Sequence, residues 1–247
     1  MCGRYTITSP PEAMRNLFNF GEQPNFPARF NIAPTQPVPI VRLDGGARHF
    51  VLVRWGLIPS WAKEEPQSLL INARAETIAE KPSFRGAFRH RRCLMPADGF
   101  YEWRAMGKGP KQPYYIRRRD RHPFAMAAIW DNWMPANGSE IETCAVVTTE
   151  ANATLGPIHH RMPVILDEKD WDLWLDPAAT PKELAALMKP APDDLLEAIP
   201  VSDAVNRVAN DNPGLVAETS ERAVAAVEDV PVKKKEKPAD DRQIDLF

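Results

Sequence analysis

Val38-Pro39-Ile40-Val41-Arg42-Leu43-Asp44-Gly45-Gly46-Ala47-Arg48-His49-Phe50-Val51-Leu52-Val53-Arg54-Trp55 is the stretch on which the fold reading turns. Two runs rich in β-branched and aromatic residues, Val38–Leu43 and His49–Trp55, flank Asp44-Gly45-Gly46, and that pattern predicts a β-hairpin. Working outward, short segments of the same character at 93–95, 100–104, 114–118, 124–130, 144–149 and 164–166 predict more strands. Helices are predicted only toward the two ends. Ser9-Pro10-Pro11-Glu12 offers an N-cap, a proline start and a capping-box acid before Met14, Leu17 and Phe18. Residues 168–175 place Trp171, Trp174 and Leu175 on one face, and Thr180-Pro181-Lys182-Glu183 repeats the capping box. Asn31-Ile32-Ala33-Pro34-Thr35 reads as extended, and Trp55 to Trp61, broken by Pro59, as irregular. The expected class is α+β: one β-rich core wrapped by short peripheral helices.

Composition narrows the function classes. The chain has 247 residues, of which 44% are hydrophobic and 26% charged, so a packed core is affordable. No apolar run approaches the roughly 18 residues of a membrane span, and no secretory h-region follows the start. A soluble, cytoplasmic protein with no membrane partner is expected. Glycine is scarce (12) beside proline (25), which argues against a glycine-looped nucleotide fold. Basic and acidic residues nearly cancel, 31 against 33, and residues 1–217 are neutral by themselves. Any nucleic-acid binding must therefore come from a local patch. Basic clusters at 85–92 and 117–121 read either as solvated faces or as such patches. Three cysteines, Cys2, Cys93 and Cys144, without a signal peptide read as reduced thiols. From Glu218 the composition shifts to Ala, Glu, Lys and Pro, so 1–217 is expected to be the folded domain and 218–247 a disordered charged tail.

Four places can carry chemistry. Cys2 is either an ordinary small residue near the terminus or, once Met1 is removed, a 1,2-aminothiol. Its amine and thiol would titrate near about 8 and 8.5, so both are partly nucleophilic at neutral pH. His159-His160 could serve as acid/base or as a metal ligand. Adjacent strand residues face opposite ways, His49, His90 and His122 lack ligand spacing, and no Cys-x-x-Cys occurs, so no metal site and no cofactor is expected. Glu102, within Gly99-Phe100-Tyr101-Glu102-Trp103, is either an exposed strand acid or a desolvated carboxyl with a raised pKa. Asn72, Arg74 and Glu76 share a face by period-2 alternation, as a polar strand surface or as a ligand-holding set.

Five segments in order resemble the SOS-response-associated peptidase (SRAP) family: Met1-Cys2-Gly3-Arg4-Tyr5, Arg54-Trp55-Gly56-Leu57-Ile58-Pro59-Ser60-Trp61, Asn72-Ala73-Arg74-Ala75-Glu76-Thr77, Pro96-Ala97-Asp98-Gly99-Phe100-Tyr101-Glu102-Trp103 and Ile158-His159-His160-Arg161-Met162-Pro163. The resemblance implies a bifurcated, barrel-like β-sheet with peripheral helices. It also implies a covalent DNA–protein crosslink that shields abasic sites in single-stranded DNA during the damage response, in the cytoplasm at the nucleoid. The family name reflects a self-processing peptidase activity that exposes Cys2, and lyase-type chemistry at the abasic site is the companion expectation.

On that resemblance, Cys2 is the crosslinking nucleophile, with Asn72, Glu102 and His159 as its catalytic partners. Arg4, Trp61, Arg74, Thr148 and Arg161 fall where relatives contact phosphate or stack a base. The family's other phosphate-binding arginine has no clear counterpart: Pro82 falls near its place, with Arg85 close by. Two rival readings remain at this stage. One is a cysteine peptidase acting on other proteins through Cys2, His159 and Asn72; the other is a non-covalent single-strand-binding module. The protein is expected to act as a monomer. The last residues, Gln243-Ile244-Asp245-Leu246-Phe247, are similar to the peptide by which bacterial replication and repair proteins dock on the sliding clamp. Gln243, Leu246 and Phe247 are the expected contacts.

Overall fold

The structure, a computed structural model, describes residues 2–135 and 138–221. In chain order the elements are β1 (Tyr5–Ile7), α1 (Pro11–Phe18), β2 (Arg29–Ile32), β3 (Pro37–Asp44), β4 (Ala47–Trp55), β5 (Asn72–Arg74), α2 (Pro82–His90), β6 (Arg92–Ala97), β7 (Gly99–Arg104), β8 (Gln112–Arg118), β9 (Phe124–Trp133), β10 (Ile141–Glu150), β11 (Arg161–Pro163), β12 (Ile165–Leu166), α3 (Trp171–Leu175), α4 (Pro181–Leu187) and β13 (Leu196–Pro200). The β3–β4 hairpin forms as its sequence predicts. Asp44 pairs with Ala47, and Gly45 and Gly46 take φ of 55° and 82°, the left-handed pair that a two-residue turn needs.

That hairpin seeds a ring. β4 pairs with β3, β3 with β6, β6 with β9, β9 with β10, and β10 returns to β4 by a short parallel pairing. β5 and β11 add to β10, and β12 to β9. A second sheet runs β13-β8-β7-β1-β2. β7 explains how the second sheet meets the ring, because its alternation splits it between two cores. Phe100 joins the large core with Tyr5, Trp55 and the ring strands, while Tyr101 joins a small one with Tyr115, Val201, Val205 and Leu215. Tyr5 meets Trp55 edge-on, centroids 5.5 Å apart, where the two sheets face each other. Gly99 opens β7 because no side chain fits there: an added Cβ would lie 2.4 Å from the Tyr115 ring.

The helices cover the ring's flanks. Phe18 of α1 stacks on Trp171 of α3, rings 5° from parallel and 4.5 Å apart. α4 carries the predicted capping box: Thr180 Oγ1 accepts from Glu183 N–H, and Glu183 accepts from Thr180 N–H.

Several expectations change. Ser9 does not cap α1; the cap is Pro10, and Ser9 binds Asp98 through both its amide and its hydroxyl. A carboxylate in reach outcompetes the helix end for that hydroxyl. The 72–77 strand stops at Arg74, and Glu76 sits in the turn beyond. The 85–92 basic cluster belongs mostly to α2, whose apolar face buries Phe84, Ala87 and Phe88. β13 was not expected. Glu218, read as the first residue of the tail, bridges to Val201, and Thr219 N–H donates to Pro200 O. Glu221 pairs with Arg104. Residues 222–247, with Gln243, Leu246 and Phe247, lie outside the described residues. Among the described residues, no helix is long and apolar enough to cross a membrane.

Candidate active site

The site forms where β1 and β7 of the second sheet meet β5, β10 and β11. Cys2, just before β1, is fully buried. Its thiol is directed at Arg4 O, 4.0 Å away, and its own carbonyl accepts from Asn72 Nδ2 at 2.9 Å. Burial pushes the Cys2 thiol well up, and the neighbouring Glu102 carboxylate adds to the effect. The thiol therefore rests as S–H.

Asn72 opens β5, and Val146 of β10 is its strand partner. Its Nδ2 holds the Cys2 carbonyl, while its Oδ1 is buried with no hydrogen-bond partner. Most buried side-chain oxygens in native proteins are hydrogen-bonded, and this one stands beside the Cys2 carbonyl that its own amide nitrogen holds. Glu102 reaches the same place from β7. It is 2% exposed, and burial raises its pKa above the ordinary carboxylate range, with Lys111 acting in the opposite sense. The desolvated alternative is therefore the one the structure adopts. Burial of this kind favours the protonated carboxyl, the form that can act as a proton donor.

His159 sits in the turn that leads into β11. Arg161 N–H donates to its Nδ1 at 3.0 Å, and Arg161 O lies 3.2 Å from the same nitrogen. One backbone unit thus serves the ring in either state. The amide meets an unprotonated Nδ1, and the carbonyl meets a protonated one. Burial lowers the His159 pKa, with the Arg161 carbonyl opposing. His160 stacks on the His159 ring at 4.5 Å. β11 pairs with the end of β10, Glu150 against Arg161, and β5 pairs with the same strand, Thr148 against Arg74. β10 therefore carries Asn72 and the His159 turn on its two sides. Among the described residues, no group of three His, Cys, Asp or Glu could hold a metal ion.

The expected DNA contacts separate. Trp61 is 65% exposed, its indole N–H reaching Pro82 O. It borders a cavity of about 420 Å³ lined also by Arg85, Arg89 and Arg91. Arg74 is exposed. Arg4 is instead held by Asn31 Oδ1 and by the carbonyls of Val205 and Asn206. Arg161 is buried, forked onto the Glu76 carboxylate, and Thr148 lies fully buried beneath it. Sequence reasoning passed over Asn31 and gave Glu76 no separate role. Asn31 lies in the extended 31–35 stretch and Glu76 in the 72–77 motif, but their partners are about 170 and 85 residues away along the chain, which no local pattern reports.

The comparisons agree with this architecture. The family model described as SOS response associated peptidase (SRAP) matches residues 1–208. The chain is 38% identical over 221 residues to the abasic site processing protein YoqW of Bacillus subtilis, covering 87% of this chain and 99% of that protein. It is also 38% identical over 196 residues to the chicken abasic site processing protein HMCES, covering 69% of this chain and 57% of that protein. A crystal structure of a protein from Bacteroides thetaiotaomicron superposes with a TM-score of 0.82 at 28% identity, covering 89% of this chain and all of that one. With a family model spanning most of its length and relatives this close, the chain belongs to the SOS response associated peptidase family.

Proposed function

We propose that this protein processes abasic sites in single-stranded DNA by forming a covalent thiazolidine between the sugar and Cys2, and so shields the lesion during replication and damage response. Loss of Met1, by self-processing or by another agent, leaves Cys2 with an α-amine beside its thiol. The abasic sugar opens to an aldehyde, and His159 carries the proton that this opening moves. The amine adds to C1′, and the carbinolamine loses water to give an imine. Glu102, whose burial favours its protonated form, supplies the proton to the departing hydroxyl. The thiol then adds across the imine: sulfur bonds to C1′, and the thiol proton ends on nitrogen. Asn72 holds the Cys2 carbonyl throughout, and its open Oδ1 is ready for the carbinolamine hydroxyl. Preorganisation of this kind can be worth about 7–11 kcal/mol in well-oriented cases.

The observation that carries the reading is the contact between Asn72 Nδ2 and the Cys2 carbonyl, with Asn72 Oδ1 buried and unpartnered beside it. Names of relatives that process abasic sites support it. Trp61 and Arg74 are its DNA contacts on the exposed surface. The domain is taken to act as a monomer at the nucleoid, and residues 243–247 to tether it to the sliding clamp, raising its local concentration at forks. The test is denaturing mass spectrometry of the protein mixed with an abasic oligonucleotide. A covalent species that vanishes in Cys2→Ala is expected. A complex that never survives denaturation would leave only a binding module. Cleavage of peptides with no DNA adduct would favour the peptidase reading.

A further inference from the structure

Glu76 has no part in the reaction as drawn, yet the structure ties it to His159. Its carboxylate receives both arms of Arg161, Nη1 to Oε1 at 2.6 Å and Nη2 to Oε2 at 3.0 Å. Arg161 Nη2 also donates to Thr148 O at 2.6 Å. A forked pair of this kind fixes a guanidinium in direction as well as distance. Arg161 is 7% exposed, so the pair is shielded from water and salt on the arginine's side. The backbone of that same Arg161 holds His159 Nδ1, at 3.0 Å from its N–H.

We propose that Glu76 is a positioning residue: by clamping the Arg161 side chain against β10, it fixes the 159–161 turn and with it the tautomer and orientation of the His159 ring. The inference rests on the reading of His159 as the proton carrier. When Arg161 N–H donates into Nδ1 at 3.0 Å, the neutral ring carries its hydrogen on Nε2; the Arg161 carbonyl, 3.2 Å from the same nitrogen, holds the other tautomer, so the set of the turn decides between them. Without the clamp, the turn keeps its backbone bonds, His159 N–H to Leu155 O and Ala151 N–H to His160 O, but the Arg161 side chain loses the fork that sets its direction, and Nδ1 can exchange its partner. The chain's terminal amine, His160 stacked on the ring, and Lys111 are the other titratable groups whose charge reaches it, all lowering its pKa.

The experiment uses the full, processed chain and Glu76→Gln, which keeps size and one acceptor but loses the charged fork. Three quantities are measured. They are the crosslinking rate constant at saturating abasic oligonucleotide, the affinity for the undamaged strand, and the His159 tautomer by long-range proton–nitrogen NMR without DNA. The expected result is a rate lower by roughly ten- to a hundredfold, unchanged affinity, and a ring that is Nε2–H in the parent but mixed in the variant. Arg161→Lys, which cannot fork, should give the same tautomer mixture, and adding Glu76→Gln to it should change little more. An unchanged rate or an unchanged tautomer overturns the proposal, as does a loss confined to affinity, which would make the pair a phosphate contact. If the parent forms no adduct, the proposed function fails, and the tautomer comparison still decides whether Glu76 positions the ring.

Discussion

Asn31 and Asn72 both turn a side-chain amide into the interior, Asn31 fully buried and Asn72 half-buried with its Oδ1 enclosed, and the molecule treats them in opposite ways. Asn31, fully buried on β2, is satisfied on every side. Its Nδ2 faces the carbonyls of Val205, Arg207 and Asn210 at 3.2, 3.0 and 2.8 Å, and its Oδ1 accepts from Arg4 at 2.9 Å. Asn72 is half satisfied: Nδ2 is bound and Oδ1 is not. A saturated amide inside a fold is a clasp, here closing the 203–211 segment over the small core behind Tyr101. An amide with one open end is an unfilled valence, stable only because the surrounding structure holds it. Asn132 on β9 is also half satisfied, its Nδ2 on Glu140 and its Oδ1 unpartnered, so what sets Asn72 apart is the open end together with its hold on Cys2.

Mutating the two asparagines is the most direct way to break that contrast. Asn31→Ala takes one partner from Arg4, which keeps the Val205 and Asn206 carbonyls, and leaves the Asn210 carbonyl without its amide donor, so a loss of roughly 1–3 kcal/mol is expected, read by chemical denaturation. Asn72→Ala removes one hydrogen bond and also one buried orphan, so its stability should change by less than about 1 kcal/mol. Its crosslinking rate should nonetheless fall about a hundredfold. If Asn72→Ala unfolds the protein as readily as Asn31→Ala does, the distinction between clasp and open valence is lost.

Arginines give a second version of the comparison. Arg4 and Arg161 are committed to protein partners, whereas Arg74 is exposed. Each phosphate neutralised on a single strand contributes a salt slope of about −0.7, so Arg74→Ala should flatten the slope by that amount. Arg4→Ala should leave the slope alone and lower stability instead. Trp61→Ala should weaken strand binding by roughly 1–3 kcal/mol if a base stacks on the indole, with little change in melting. A stability loss without an affinity loss would return Trp61 to a structural role.

Much of this was legible in the chain, and the reasons are local. The β3–β4 hairpin declared itself through Asp44-Gly45-Gly46, and α4 through its capping box. Cys2, Asn72, Glu102 and His159 stood out because motifs carry them. What stayed hidden depends on distance along the chain. Ser9 could not be known to prefer Asp98, nor Arg4 the carbonyls near residue 205. α2 was masked by its arginines, because charge drew the eye from the spacing of Phe84, Ala87 and Phe88. Polar alternation continues in sequence to Glu76, but the strand ends at Arg74 and Glu76 belongs to the turn beyond.

Glu102 offers the finest test, because here stability and chemistry should move in opposite directions. Its carboxyl is almost wholly buried, and its pKa is raised by that burial. The sign follows from proton binding. Below the ordinary carboxylate range, the group is protonated in folded and unfolded chains alike and costs nothing as a charge. As pH rises, the unfolded chain ionises first, and the folded state loses relative stability until its own carboxyl has ionised. At neutral pH the parent therefore carries part of the cost of a desolvated charge, which Glu102→Gln removes while keeping the shape. The variant should gain stability relative to the parent as pH rises from about 4 to 7.5, read as a widening difference in Tm between the two proteins. At about pH 4 the two should converge. The same variant cannot give a proton to a leaving hydroxyl, so crosslinking should slow by about a hundredfold or more. A variant that is less stable at both pH values would mean that the carboxylate is a clasp like Asn31; one that is more stable yet inactive would place Glu102 with Asn72.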